Sequence, residues 1–232
     1  MPVVAHQDIH NVIDLQRLEK FFRPRSIAIV GASPQKGSAR NTVVKVPLKH
    51  GFSGTVYPVS PSHAEIEGIK TYKSIADLPA APDVALVITP AHTVPGVIAE
   101  CGAQGIRQAI VYSSGFEEVA EGKAIAVALR KAAEEHDVAV LGPNGQGLWS
   151  VQAKCMLSFS NALINLDSIR HAPIAIISHS GALAGAMATT LQKSGMGCSY
   201  VVSVGNETCL DALDFLAWVV EQDDVRVVAP YI

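Results

Sequence analysis

Short apolar runs alternate along this chain with longer stretches in which apolar residues recur every three or four positions. Ile27–Val30, Thr55–Val59, Val84–Ile88, Gln108–Tyr112 and Val138–Leu141 are apolar or β-branched runs that end in glycine, proline or small polar residues. Runs of that kind read as strands buried on both faces. Val12–Phe22, residues 38–50, Thr93–Gln104 and Gly122–His136 carry helical spacing, with Pro24 ending the first and Pro47 expected to cap or kink the second. Tyr72–Leu78 reads as a short connector, and residues 1–12 as a lead-in without a regular element. Residues 13–148 thus form one complete, doubly wound α/β domain. The alternation lapses from Trp149 to His171, which reads as a linker (149–171) with short extended pieces. It restarts with strands at Pro173–Ile177, Ser199–Val204 and Val225–Ile232 and helices at Ala182–Lys193 and Leu210–Val220. Residues 172–232 are therefore expected to be the first part of a second α/β unit. A final strand with an open edge calls for more sheet, so the natural polypeptide or a partner is expected to supply it.

Composition narrows the picture. Apolar residues make up 49% of the 232 positions and charged residues only 17%, a balance that suits strands covered on both sides. The formal net charge is −3 and no basic run occurs, so nucleic acid is not an expected partner. No apolar stretch reaches the ~20 residues of a membrane span. The four cysteines (Cys101, Cys155, Cys198, Cys209) form no C-x-x-C pair, which fits a reduced, cytoplasmic setting. No pair of histidines has metal-ligand spacing, so no metal site is expected.

Chemistry concentrates just past the strand ends, where open α/β sheets bind ligands. The first strand runs into Gly31-Ala32-Ser33-Pro34-Gln35-Lys36-Gly37, with Arg40 in the following helix. A glycine turn feeding a helix N-terminus suits phosphate, although a purely structural β–α turn has the same look. The full G-x-G-x-x-G spacing is missing. The second strand ends in Tyr57-Pro58-Val59-Ser60-Pro61 with no acid to hold a ribose hydroxyl, which argues against a nicotinamide cofactor. Ser113-Ser114-Gly115-Phe116 and Gly142-Pro143-Asn144 also follow strands. In the second unit, Ser178-His179-Ser180-Gly181-Ala182 opens a helix with two hydroxyls and a glycine, a second anion cradle. Ile177 precedes Ser178, so the G-x-S-x-G nucleophile frame is absent. A histidine beside hydroxyls, such as His179, is more often structural than nucleophilic. The small residues Ala182, Ala184 and Gly185 permit either a roomy pocket or close helix packing.

The order of these motifs resembles the α-subunit portion of the ADP-forming (NDP-forming) acyl-CoA synthetases, relatives of the succinyl-CoA synthetase α subunit. The resemblance rests on Phe22-Arg23-Pro24-Arg25-Ser26, Val30-Gly31-Ala32-Ser33, Val56-Tyr57-Pro58-Val59, Ser114-Gly115-Phe116, Gly142-Pro143-Asn144, Ile177 through Leu183, and Ser203-Val204-Gly205-Asn206. It implies a Rossmann-like CoA-binding domain followed by an incomplete flavodoxin-like ligase domain. Gly31, Ala32 and Ser33 through Lys36, with Arg40, would face the CoA phosphates. Val59, Ser60 and Pro61 would lie near the nucleotide. Thr89, Pro90, Ser113, Ser114 and Gly115 would line the pantetheine path, and Asn144 would sit near the thiol. Ser178, Ser180, Gly181 and Ala182 would cradle the phosphate of a phosphohistidine.

The chain departs from the family pattern in places. Ser60-Pro61-Ser62 stands where Asn-Pro-Lys is common, His179 where Gln or Arg is usual, and Gly145 where Cys is usual. The phosphorylated histidine and its supporting glutamate are expected past Ile232, so no residue here is assigned as catalytic. The resemblance implies CoA as substrate, and ATP, ADP and Mg on a partner ATP-grasp domain or β subunit. It also implies a further ligase domain and an oligomer. The alternative it leaves open is a CoA-binding regulatory module of a protein acetyltransferase.

Overall fold

Asp14 opens the described part of the chain, residues 14–232 of a computed structural model, by capping a helix. The expected lead-in and the first two residues of the expected first helix, Val12 and Ile13, lie outside the described residues. The side chain of Asp14 accepts a hydrogen bond from the Gln16 N–H, and α1 (Leu15–Phe22) buries Leu18, Phe21 and Phe22 completely. Leu18, Phe21 and Phe22 recur three and four apart, which puts them on one face. Pro24 follows the helix end at Arg23.

The first sheet is built from β1 (Ser26–Val30), β2 (Thr55–Val59), β5 (Val84–Val87), β6 (Gln108–Val111) and β7 (Ala139–Leu141), all parallel, in the order β2-β1-β5-β6-β7. Helices α2 (Ala39–Lys49), α3 (Val94–Ala103) and α4 (Lys123–Glu135) supply crossovers. Pro47 sits in the last turn of α2, which runs on to Lys49. A small hairpin, β3 (Glu65–Ile66) and β4 (Ile69–Lys70), follows β2 and has no counterpart in the expected elements.

The second sheet differs more. The stretch from Trp149 to His171, expected as a linker, holds the second half of β8 (Gly147–Ser150), all of β9 (Cys155–Leu157) and the short α5 (Asn161–Ile164). With β10 (Ile174–Ser178), β11 (Tyr200–Ser203) and β12 (Val227–Tyr231), these strands make a mixed sheet in the order β12-β10-β11-β8-β9. The pairing of β11 with β8 is antiparallel, Val201 opposite Trp149. Both β8 and β9 are buried along their whole length, so they show no polar–apolar alternation. With only four and three residues, neither is long enough to stand out as an apolar run. Helices α6 (Gly181–Lys193) and α7 (Ala212–Val220) complete the unit. No helix among the described residues is long and apolar enough to cross a membrane.

One core joins the two sheets. It runs from Ile27, Ile29 and Leu86 through α1 to Tyr200, Val202, Phe215 and Trp218. Phe22 stacks on Trp218 with centroids 4.0 Å apart and planes 6° from parallel, and Tyr200 meets both rings edge-on at 5.4 and 5.3 Å. Trp218→Ala should therefore lower stability by about 3–5 kcal/mol, read as a lower urea midpoint. A loss under 1 kcal/mol would show that α1 does not hold the two units together.

Candidate functional site

Parallel pairing puts the carboxyl ends of β1, β5, β6 and β7 along one edge. The strand order reverses between β1 and β5, which opens a crevice there. A cleft of about 370 Å³ occupies that place, lined by Ala39, Arg40, Ile88, Thr89, Pro90, Ala91, Ser113 and Ser114. Five of the sequence-derived candidates thus share one cleft: Arg40, Thr89, Pro90, Ser113 and Ser114.

The first loop is fixed from both sides. The Gly31 N–H donates to Val59 O at 3.1 Å, and Arg40 Nε donates to Gly31 O. Gly31 has φ +93°, and a Cβ there would lie 2.9 Å from Ile88 O. Glycine is therefore demanded by both the dihedral and the close approach of the β5 end. Ala32 and Ser33 are buried, and the Ser33 hydroxyl accepts from the Gln35 N–H at 3.2 Å, so it shapes the turn. Ser38 caps α2 by accepting from the Asn41 N–H. Pro34, Gln35 and Lys36 are exposed on the loop outside the cleft lining.

The end of β2 contributes backbone rather than side chains. Val59 and Ser60 are buried, and the Ser60 hydroxyl turns to His63 Nδ1 at 2.9 Å. Only Pro61 of that trio is exposed.

Farther along the edge the loops are tied to one another. Ser113 Oγ donates to Thr89 O, and the Asn144 N–H donates to Ser113 O at 2.9 Å. The loop after β11 then crosses from the second unit. Asn206, Thr208 and Leu210 donate their N–H groups to Pro143 O, Gly142 O and Val140 O, an antiparallel run along the outer edge of β7. Gly145 lies under that crossing, where a Cβ would be 2.6 Å from Ser203 O.

Sequence reasoning passed over Glu118, which lies in this junction. Its Oε1 accepts from the Gly115 N–H and its Oε2 from Asn206 Nδ2 at 2.6 Å. Asn144 Nδ2 donates to Asn206 Oδ1 at 3.2 Å. Partial burial pushes the Glu118 carboxyl up, but the hydrogen bonds from Gly115, Asn206 and nearby backbone outweigh it and hold its pKa below the ordinary glutamate value. Two residues past Phe116 in a loop, Glu118 has no periodic signal to mark it.

The second cradle is mostly self-satisfied. Ser178 Oγ donates to Ser180 O and accepts from the Ser180 N–H, and Ser180 Oγ caps α6 by accepting from the Leu183 N–H. What remains for an anion is the first turn of α6, at Gly181 and Ala182. His179 Nε2 lies 2.9 Å from Glu207 Oε2, but the ring is not aligned for a hydrogen bond. Ala182, Gly185 and Ala186 border a separate cavity of about 520 Å³ with Gln146 and Ser160, while Ala184 and Ala188 pack inward. The small residues of α6 thus serve both a cavity and close packing.

No cysteine is poised as a nucleophile. Burial pushes the thiol of Cys209 up to about 12 and that of Cys198 up to about 11. Among the described residues no group of three or more His, Cys, Asp or Glu side chains is arranged to hold a metal ion.

A parallel sheet with a polar crevice at its switch point defines a class of nucleotide- and cofactor-binding domains. The chain belongs to the CoA-binding domain family, whose model it matches over residues 25–149. Residues 171–232 match the succinyl-CoA ligase like flavodoxin domain. The chain is 36% identical over 215 residues to the ADP-forming acetate–CoA ligase I of Archaeoglobus fulgidus, covering 92% of this chain and 30% of that protein. It is also 36% identical over 221 residues to the α subunit of the ADP-forming acetate–CoA ligase I of Pyrococcus furiosus, covering 92% and 46%. The apo structure of a dinucleotide forming acetyl-coenzyme A synthetase 1 from Candidatus Korarchaeum cryptofilum superposes with a TM-score of 0.86 at 34% identity, over 93% of this chain and 46% of that one. A structure of the same synthetase with phosphate and ADP gives the same TM-score. The chain spans about a third to a half of these relatives and corresponds to their N-terminal CoA-binding part. These relatives are ligases, which favours the ligase reading over the acetyltransferase module.

Two outcomes follow from the site's geometry. Gly31→Ala should destabilise the fold by about 1–3 kcal/mol, measured by urea unfolding, whereas Gly37→Ala, with open space around it, should cost less. Glu118 has a lower pKa folded than unfolded, so its network stabilises above the ordinary glutamate range of ~4.3 and loses that contribution as pH falls through it. The urea midpoints of wild type and Glu118→Gln should converge on acidification; a constant gap would contradict the charge's role.

Proposed function

We propose that this chain is the CoA-binding portion of an ADP-forming acyl-CoA ligase. The parent reaction is acyl-CoA + ADP + phosphate ⇌ carboxylic acid + CoA + ATP, passing through acyl phosphate and phosphohistidine. The observation that carries the proposal is the switch-point cleft, which gathers Arg40, Thr89, Pro90, Ser113 and Ser114 beside a glycine turn and a helix N-terminus. A cleft lined by the Thr89, Ser113 and Ser114 hydroxyls and by Arg40, with Lys36 on the exposed loop outside it, suits a long ligand that is anionic at one end and amide-bearing along its length. CoA is such a ligand.

In this reading the exposed loop of Gln35 and Lys36 meets the CoA phosphates, with Arg40 behind it. The loop's backbone shape comes from Gly31, Ala32, Ser33 and Pro34. Pro61 flanks the nucleotide, while Val59 and Ser60 support it from the interior. Thr89, Pro90, Ser113, Ser114 and Gly115 carry the pantetheine chain toward Asn144. At the second unit, the first turn of α6 at Gly181 and Ala182, shaped by Ser178 and Ser180, stabilises a transferring phosphoryl group through its open N–H donors. The nucleophilic histidine is not among the residues of this chain that reach that cradle. ATP, ADP and Mg belong to a partner ATP-grasp domain or β subunit. The remaining ligase domain would cover β12, whose Val227 and Tyr231 are more than half exposed. The assembled enzyme is an oligomer.

Calorimetric titration of the chain should give a CoA isotherm, and the chain alone should form no acyl-CoA. Absence of CoA binding, or turnover without further domains, would overturn the corresponding half of the reading. Lys36→Ala should weaken CoA binding about 5- to 10-fold, because an exposed charge-assisted contact is worth less than a buried one. The wild-type affinity should also fall with added salt.

A further inference from the structure

Glu118, Asn206 and Asn144 form a chain in which each member limits the orientation of the next. An ionised carboxylate only accepts hydrogen bonds. Glu118 Oε1 is taken by the Gly115 N–H, and Oε2 faces the Asn206 side chain at 2.6 Å. Asn206 must therefore turn its NH₂ to Glu118, which leaves its Oδ1 on the other side. That oxygen lies 3.2 Å from the Asn144 side-chain nitrogen. Asn144 must in turn present its NH₂ to Asn206, and its own Oδ1 is left pointing away from the network. An amide assigned in isolation could be flipped, but one chained to a carboxylate cannot.

The backbone supports the same conclusion. Asn144 has φ +60°, and its N–H is held by Ser113 O, so the residue cannot pivot freely. Asn206 is anchored by its N–H to Pro143 O. Nearby charged groups are otherwise engaged: Glu117 accepts from the Thr208 hydroxyl, Arg130 donates to Thr208 O, and Glu207 takes the Ala212 N–H and faces His179.

We infer that Glu118 is a positioning residue: through Asn206 it fixes Asn144 with its carbonyl oxygen outward, so that the junction of the two sheets accepts a hydrogen bond from a donor group of the ligand. This rests on the CoA reading, in which the donor is the thiol or the last amide N–H of the pantetheine arm. A ligand group that only accepts, such as a carboxylate, is disfavoured there.

Glu118→Gln is the informative change, because it keeps the shape and supplies an NH₂ that releases the fixed order. By NMR, the Asn144 side-chain NH₂ signals should shift in Glu118→Gln, because the hydrogen bonds of residues 118 and 144 are linked through Asn206. Unmoved Asn144 signals would overturn the relay whether or not CoA binds. In calorimetry, Glu118→Gln should weaken CoA about five-fold, the worth of one hydrogen bond. It should leave the affinity for adenosine 3′-phosphate 5′-diphosphate, which lacks the pantetheine arm, unchanged. Equal loss for both ligands, or none for CoA, would overturn Asn144 as the acceptor. A wild type that binds neither ligand would instead refute the CoA reading and leave the NMR result to judge the relay.

Discussion

Three backbone hydrogen bonds from the loop after β11 to the end of β7 hold the carboxyl edges of the two sheets against each other. Their donors, Asn206, Thr208 and Leu210, belong to the second unit, and their acceptors, Pro143, Gly142 and Val140, to the first. The run covers the outer edge of β7, which would otherwise be an open edge. It also decides where the crevice of the first sheet points. The row of strand ends from Gly31 to Asn144 leads toward the loop after β11, where Asn144 and Pro143 meet Asn206. The aromatic stack of Phe22 on Trp218 supports the alignment from within the core.

In the proposed ligase reading, that alignment is what would let residues of modest individual chemistry contribute to a transfer reaction. Neither His179 nor any cysteine is arranged as a nucleophile, and most hydroxyls near the cradles are engaged in shaping turns. What the molecule offers is position: helix starts, turn backbones and a few side chains facing a common edge. A ligand laid along the first sheet has its far end carried toward the second unit. Charge on the exposed loop, at Lys36, suits capture, and fixed dipoles at the junction suit orientation.

The strand–helix alternation was legible because the central strands are buried on both faces and the helices keep a polar face. The candidate cleft was legible in part for the same reason: Thr89, Pro90, Ser113 and Ser114 follow strands, Arg40 opens the helix after β1, and parallel pairing gathers strand ends. Val59 and Ser60 show the limit of that rule, since they also close a strand end yet are buried, Val59 in the core and Ser60 with its hydroxyl on His63. Which way a residue faces after the last ladder bond depends on the hairpin that follows, and β3–β4 is too short to leave a pattern. The stretch from Trp149 to His171 reads as a linker in the sequence because the two short, fully buried strands β8 and β9 have no alternation to display.

The sequence by itself determined the main strand–helix alternation, the first parallel domain and the kind of chemistry its strand ends carry. These follow from local periodicity and from turn residues whose backbone needs are intrinsic. Only the tertiary structure decided that β8 and β9 extend the second sheet, that Glu118 governs Asn206 and Asn144, and that Gly145 has no room for a side chain. Each of these depends on contacts between segments far apart in the chain: Gly145 on Ser203, Glu118 on Asn206, Tyr200 on Ser150. Such contacts are made by packing, and neighbours along the chain carry no record of them.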